Sequence, residues 1–304
     1  MSRPNDANFL FWLPMQELSG TRYDVSGNAH HALASGWGSW STPGRAAGHV
    51  QGGAADFERS GSNHNLIIPD ASWQSGDKDI CAGGWVYFES RDWIIMAKGG
   101  NGSEVCNFVL FDNGNYIYFE VGDADNGYAG ADGKGYNNSY PAADTGWAPS
   151  TGTWYYIIWF HDASADTSYI WIYNTSGSLV ASDSTGIYCT WQNNNSPYGI
   201  SFGSGGNETY PSWPLSINSD KPDGRLEQWF MYEGALSSAE RTWLVNGGAG
   251  RTWTDLSRDN AGIPVQFFKD IRNWLSKDGS LRMERIVEEL WHQNQAGLPL
   301  PVRS

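Results

Sequence analysis

Cysteine is scarce and poorly placed for cross-linking. Cys81, Cys106 and Cys189 are odd in number and form no Cys-x-x-Cys pair, so neither a disulfide framework nor a zinc cluster is expected. Free buried thiols are the plain expectation. No stretch of about 18 apolar residues occurs, which leaves no candidate for a membrane-spanning helix. The start, Met1-Ser-Arg-Pro-Asn-Asp, lacks a basic stretch leading into an apolar run. No export signal is therefore expected, and synthesis and folding in a cytoplasm are. Charge is also sparse, at 17% of residues, and the basic sign is the scarcer one. Residues 1–260 hold 13 Lys and Arg against 28 Asp and Glu, whereas residues 261–304 hold 6 against 5. A chain of net charge -14 repels phosphate backbones, which sets nucleic acid aside and leaves cations or neutral glycans as suitable partners.

What is abundant is Gly (37), Trp (17) and Tyr (15). That mixture describes short aromatic strands joined by tight turns, with ample apolar surface for a core. Runs of β type recur through the first 230 residues: Cys81 to Phe88, Trp93 to Ala97, Phe108 to Phe111, Tyr116 to Val121, Trp154 to Phe160 and Tyr169 to Tyr173. Asn113-Gly114 supplies the positive φ of a hairpin turn. Two long polar segments, Gly122 to Pro149 and Gln192 to Gly224, read as loops, and loops of that length in a compact domain are commonly functional.

Helical signals come late. Ser237-Ser-Ala-Glu240 is a capping box, and Gly247 and Gly248 stop the helix that it starts. Beyond residue 260, Phe267, Phe268, Ile271, Trp274 and Leu275 share one helical face. Met283, Ile286, Val287, Leu290 and Trp291 share another. A helical hairpin of about 35 residues is too small to stay folded alone, so it must pack on its own β domain or on a partner. The expected organisation is a β domain over residues 1–256 and a helical tail over residues 257–304, with Phe267, Phe268, Ile271, Trp274, Ile286, Leu290 and Trp291 as the candidate partner-binding set.

Tyr23-Asp-Val-Ser-Gly-Asn-Ala-His-His-Ala32 resembles the opening signature of laminin-G-like domains. Gly224-Arg-Leu-Glu-Gln-Trp-Phe-Met-Tyr-Glu-Gly-Ala-Leu-Ser-Ser-Ala-Glu240 with Leu244-Val-Asn-Gly-Gly248 resembles their closing strand and helix. Ala55-Asp-Phe57, Gly83-Gly-Trp85-Val, Trp93 to Gly99 and Trp154 are similar to core strands between them. The resemblance covers about residues 9–253 and implies an all-β, two-sheet antiparallel jelly roll of the concanavalin A-like kind, whose first and last strands pair. It does not reach residues 261–304.

Many laminin-G-like domains hold calcium near the opening turn, and the resemblance implies Asp24, Asn28 and Glu227 as ligands. Glu227 stands where the family has Asp, and Gln228 where it has Glu; the alternative for Asp24 is that it caps its own turn. Tyr136, Trp191, Tyr210 and Trp213 lie among Asn and Asp in or beside the long loops, a chemistry that suits sugar rings, with loop packing or a subunit contact as the alternative. His30 and His31 have no metal-ligand spacing around them and read as hydrogen-bonding residues. Jelly-roll enzymes that cleave polysaccharides carry carboxylates two and four residues apart on one strand, and no Glu-x-Asp-x-x-Glu run is present.

The expectation is therefore a non-enzymatic protein. Such domains are usually exported, yet no export signal is seen; a virion resolves the conflict, because its surface proteins are made in the host cytoplasm. The expected role is a bacteriophage capsid decoration or tail-associated adhesin on the virion surface, held to a capsid or tail protein by its C-terminal helices. A host-surface glycan would be its outward partner. The alternatives are a free, extracellular carbohydrate-binding module and, third, a glycan-cleaving enzyme.

Overall fold

A computed structural model describes residues 2–34, 41–59, 64–74, 76, 78–99, 106–121, 143–165, 167–186, 199–203 and 222–256. The chain divides into two compact units, Met1–Arg251 and Thr252–Ser304. In the second, the described part is one helical turn, α2 (Trp253–Leu256), capped by Asp255, whose carboxylate accepts from the Thr252 backbone and hydroxyl.

Among its described residues the first unit is all-β, with one short α-helix. Its strands are β1 (Phe9–Leu13), β2 (Leu33–Ala34), β3 (Gly44–Ala46), β4 (Ala54–Phe57), β5 (Leu66–Ile68), β6 (Ile80–Phe88), β7 (Trp93–Gly99) and β8 (Cys106–Asp112). They continue as β9 (Ile117–Val121), β10 (Ala143–Asp144), β11 (Thr153–Asp162), β12 (Thr167–Asn174), β13 (Leu179–Gly186), β14 (Ile200–Phe202) and β15 (Gly224–Glu233), followed by α1 (Ser238–Val245). Two antiparallel sheets form the jelly roll. One runs β13-β12-β11-β6-β15-β4-β3, with β1 also on β15; the other runs β10-β9-β8-β7-β14-β5-β2.

The alternation of each strand explains the sandwich. Tyr155, Ile157 and Trp159 of β11, Val86 and Phe88 of β6, and Trp229 and Met231 of β15 face a common core with Ile95, Phe108, Phe119 and Phe202 from the other sheet. Gly84 is required there: a Cβ at this position would meet the Trp229 indole at 2.6 Å. The opposite side of the first sheet is also apolar. Arg241 of α1 lies over the Trp171 ring at 3.8 Å, and His49 lies 4.2 Å from the ring of Trp85.

The helix begins at the capping box seen in the sequence. Ser237 Oγ accepts the Glu240 N–H, and Glu240 Oε2 accepts the Ser237 N–H. It ends at Asn246, one residue before the glycines, because Asn tolerates the left-handed conformation (φ 50°) that closes the last turn. The expected loop from Gln192 to Gly224 is interrupted by β14. Ile200-Ser-Phe202 is too short to show a period, but it is buried between β7 and β5. β13 was also invisible to alternation, since Leu179-Val-Ala-Ser-Asp-Ser-Thr-Gly has few apolar residues and Leu179 and Val180 are exposed at the end of the sheet.

The first and last strands pair as the resemblance implied. Phe11, Trp12 and Leu13 lie opposite Met231, Phe230 and Trp229. One edge of β15 is shared: residues 224–226 pair with β4, and residues 229–232 pair with β1. At the changeover the ladder breaks, and Gln228 takes a positive φ of 53°.

Candidate functional site

The opening turn is built by one carboxylate. Asp24 follows Arg22, whose backbone pairs with Ala32, and its Oδ1 accepts the N–H of Ser26 at 2.8 Å, closing the Asx turn that the sequence offered as an alternative. The same oxygen accepts the Trp12 N–H at 2.9 Å. Oδ2 takes the Ser26 hydroxyl and the His30 N–H, both at 2.9 Å. Gly27, at φ 98°, lets the chain reverse between them. Asn28 sends its amide hydrogens to the carbonyls of Phe9 (2.7 Å) and Leu10 (3.1 Å), so the turn is fastened to β1.

Glu227 forms a second, separate network at the β4-to-β1 changeover. It is fully buried. Its Oε2 accepts the backbone N–H groups of His49 and Val50, the latter at 2.9 Å, and its Oε1 accepts the Gln51 N–H at 2.7 Å and the Gln16 amide at 3.2 Å. Three successive N–H groups around one anion form a nest. Gly48 makes it possible, since a Cβ there would sit 2.8 Å from the Glu227 carboxylate and 2.4 Å from the Gly53 carbonyl. Burial pushes the Glu227 carboxyl above its ordinary value, and the three N–H groups pull it back. Beside it Gln228 accepts from the Trp12 indole N–H at 2.7 Å and donates to Gln51.

This geometry bears on the calcium ligands expected at Asp24, Asn28 and Glu227. An ionised carboxylate offers about four acceptor positions, and four protein donors occupy those of Asp24 and of Glu227. Calcium takes six to eight oxygens, so a cation at either residue would have to displace a donor. Among the described residues, the acidic grouping with metal-like spacing is Asp56, Glu58 and Glu89, and Arg225 bridges Asp56 and Glu89 as their counterion.

His30 and His31 are both hydrogen-bonded to backbone, as expected. The Leu10 carbonyl accepts from His30 Nδ1 (2.7 Å), and that ring stacks on Trp73 with 4.4 Å between centroids. His31 Nδ1 instead accepts the Asp24 N–H at 3.0 Å. Opposite acceptors thus fix opposite tautomers in adjacent histidines. Tyr23, 56% exposed, stands against His31 with ring centroids 5.3 Å apart and planes at 72°. This corner escaped the sequence reading, although the alternation of Arg22 and Ala32 with Tyr23, His31 and Leu33 was its signal.

Cys81 is a buried free thiol, as expected, and burial pushes it far above the ordinary range. The glycan candidates Tyr136, Trp191, Tyr210 and Trp213 lie outside the described residues, as do Phe267, Phe268, Ile271, Trp274, Ile286, Leu290 and Trp291.

No family model matches the sequence, and no curated protein does. Solved structures do. The binding domain of botulinum neurotoxin DC in complex with SialylT superposes with a TM-score of 0.52 at 11% identity, over 82% of this chain and 53% of that one. The same domain in complex with rat synaptotagmin II gives 0.52 and 11%, over 86% and 55%. An arabinofuranosidase complexed with arabinofuranosyl-alpha-1,2-xylobiose gives 0.48 and 16%, over 76% and 51%. The chain spans about half the length of these proteins. At 11% identity the likeness to the toxin binding domain is one of fold, the jelly-roll sandwich.

Proposed function

We propose that the chain is a non-enzymatic, glycan-binding jelly-roll module of the laminin-G-like kind. The observation that carries this reading is the exposed Tyr23–His31 corner, where an aromatic ring and an imidazole meet at the sandwich surface. The aromatic, amide-rich composition of residues 122–149 and 192–224 supports it. So does the fold shared with a toxin binding domain that was solved with SialylT. The laminin-G placement rests on the opening and closing signatures in the sequence. The non-enzymatic part rests on Asp24 and Glu227, the two carboxylates at the joined ends of the domain, which are spent on holding backbone N–H groups.

A second element of the proposal is attachment. The amphipathic pattern between Phe267 and Trp291 favours docking to a partner in an assembly, and a bacteriophage particle surface, through a capsid or tail protein, is the setting we propose. A glycan array probed with the full-length chain tests the binding reading, with assay of each polysaccharide for released oligosaccharide. Binding without release is expected; a silent array overturns the reading, and released product overturns its non-enzymatic part. Full-length Phe268→Asp and Trp274→Asp variants should lose particle association while still binding glycan.

A further inference from the structure

Resting on the glycan-binding reading, we propose that Tyr23 and His31 form a subsite for one neutral hexopyranose. The backbone fixes the arrangement. Arg22 and Ala32 exchange hydrogen bonds at 2.7 and 2.9 Å, and both side chains are fully buried. Alternation then turns Tyr23 and His31, directly opposite one another, to the outside, with Leu33 next on the same side. Leu33 is 41% exposed.

The two rings meet as two walls of a corner, 72° apart. His31 Nδ1 is committed as an acceptor for the Asp24 N–H, so the neutral ring carries its proton on Nε2, which is free to donate. A pyranose has one face of C–H groups and a rim of hydroxyls. The face fits an aromatic ring, a hydroxyl at right angles to it fits the imidazole N–H, and Leu33 supplies an apolar border.

Charge selects a neutral sugar. The chain carries -14, and the nearest cation in the sequence, Arg22, is turned inward, where it donates to the carbonyls of Pro43 (2.6 Å) and Gly44 (2.8 Å). Size selects a sugar over a protein: a stable protein interface engages roughly 20–30 residues a side, whereas the corner and its border are three side chains.

The test is saturation-transfer NMR and titration of the full-length protein with methyl β-galactopyranoside, methyl β-glucopyranoside and 3′-sialyllactose. The wild type is compared with Tyr23→Ala, Tyr23→Phe and His31→Phe, each checked for an unchanged melting temperature. Saturation is expected on the ring C–H protons of a neutral glycoside. Its affinity should fall about five- to ten-fold in Tyr23→Ala and in His31→Phe, and stay within about two-fold in Tyr23→Phe, as loss of one stacking or hydrogen-bonding contact dictates. Wild-type affinity in Tyr23→Ala overturns the subsite, as does a preference for the sialyl residue. If the glycan array is positive and Tyr23→Ala binds normally, the subsite alone fails; if the array is silent, the glycan-binding reading fails with it. Should Tyr23→Ala convert a dimer to a monomer in sedimentation while the sugar signal persists, the corner is a self-association surface and the subsite is refuted.

Discussion

The Glu227 carboxylate accepts the Val50 N–H at 2.9 Å across a separation of 177 residues. That bond, with those from His49 and Gln51, fills the gap where β15 changes partner from β4 to β1. Glu227→Ala would leave three part-buried backbone donors without their acceptor. A loss of about 3 kcal/mol or more is expected in urea denaturation. A loss below about 1 kcal/mol would show that water replaces the carboxylate freely.

How much of this was legible in the sequence depended on which force set each element. The strands β6 to β9, β11 and β12, the capping box and the closing of the domain by β1 on β15 follow from local pattern and from the two signatures, whereas the two-residue β10 falls in a stretch read as loop. β13 and β14 were not legible, because one is a polar edge and the other three residues long. Asp24 and Glu227 stood out as carboxylates that the resemblance implies for calcium, and in the structure each accepts four protein donors. Their ligands could not be read, because the 49–51 turn that supplies donors to Glu227 is remote in sequence and has no side-chain signature beyond Gly48.

Calcium offers a direct check on that point. With all acceptor positions of Asp24 and Glu227 filled by protein donors, melting temperatures in excess calcium and in chelator should agree within about 1 °C. A rise of several degrees with calcium would mean that the ion displaces these donors and would restore the ligand set implied by the resemblance.

His64 gives the domain an acid-sensitive contact. Its Nδ1 accepts the Glu58 N–H at 2.9 Å, and burial holds the ring below its ordinary value against the opposing pull of Asp56. A depressed value means that the neutral ring is favoured by folding. The contribution is fully present above the unfolded value near 6.5 and is lost as pH falls through the folded value. Between about pH 7.5 and pH 5 the wild type should therefore lose more thermal stability than His64→Asn, which keeps an acceptor at the same place but cannot titrate. Equal losses would remove His64 from the account.

Gly84 and Gly44 should respond oppositely to a methyl group. At Gly84 a Cβ would collide with the Trp229 indole, so Gly84→Ala should cost about 1–3 kcal/mol. Gly44 has nothing within 4 Å of that position, and Gly44→Ala should stay within about 0.5 kcal/mol. Chemical denaturation of both variants decides it; comparable losses would contradict the packing around Trp229.

The pairing of β1 with β15 also sets a waiting time. Trp12 and its partner Gln228 are 216 residues apart. At roughly 5–20 residues per second, a ribosome needs about 10–45 seconds to make the second after the first. Phe9-Leu-Phe-Trp-Leu13 thus emerges as an apolar strand with no partner yet synthesised. Any release of the chain before residue 233 leaves that strand permanently without its mate. The domain is committed to completion in a way that a sandwich of successive hairpins is not.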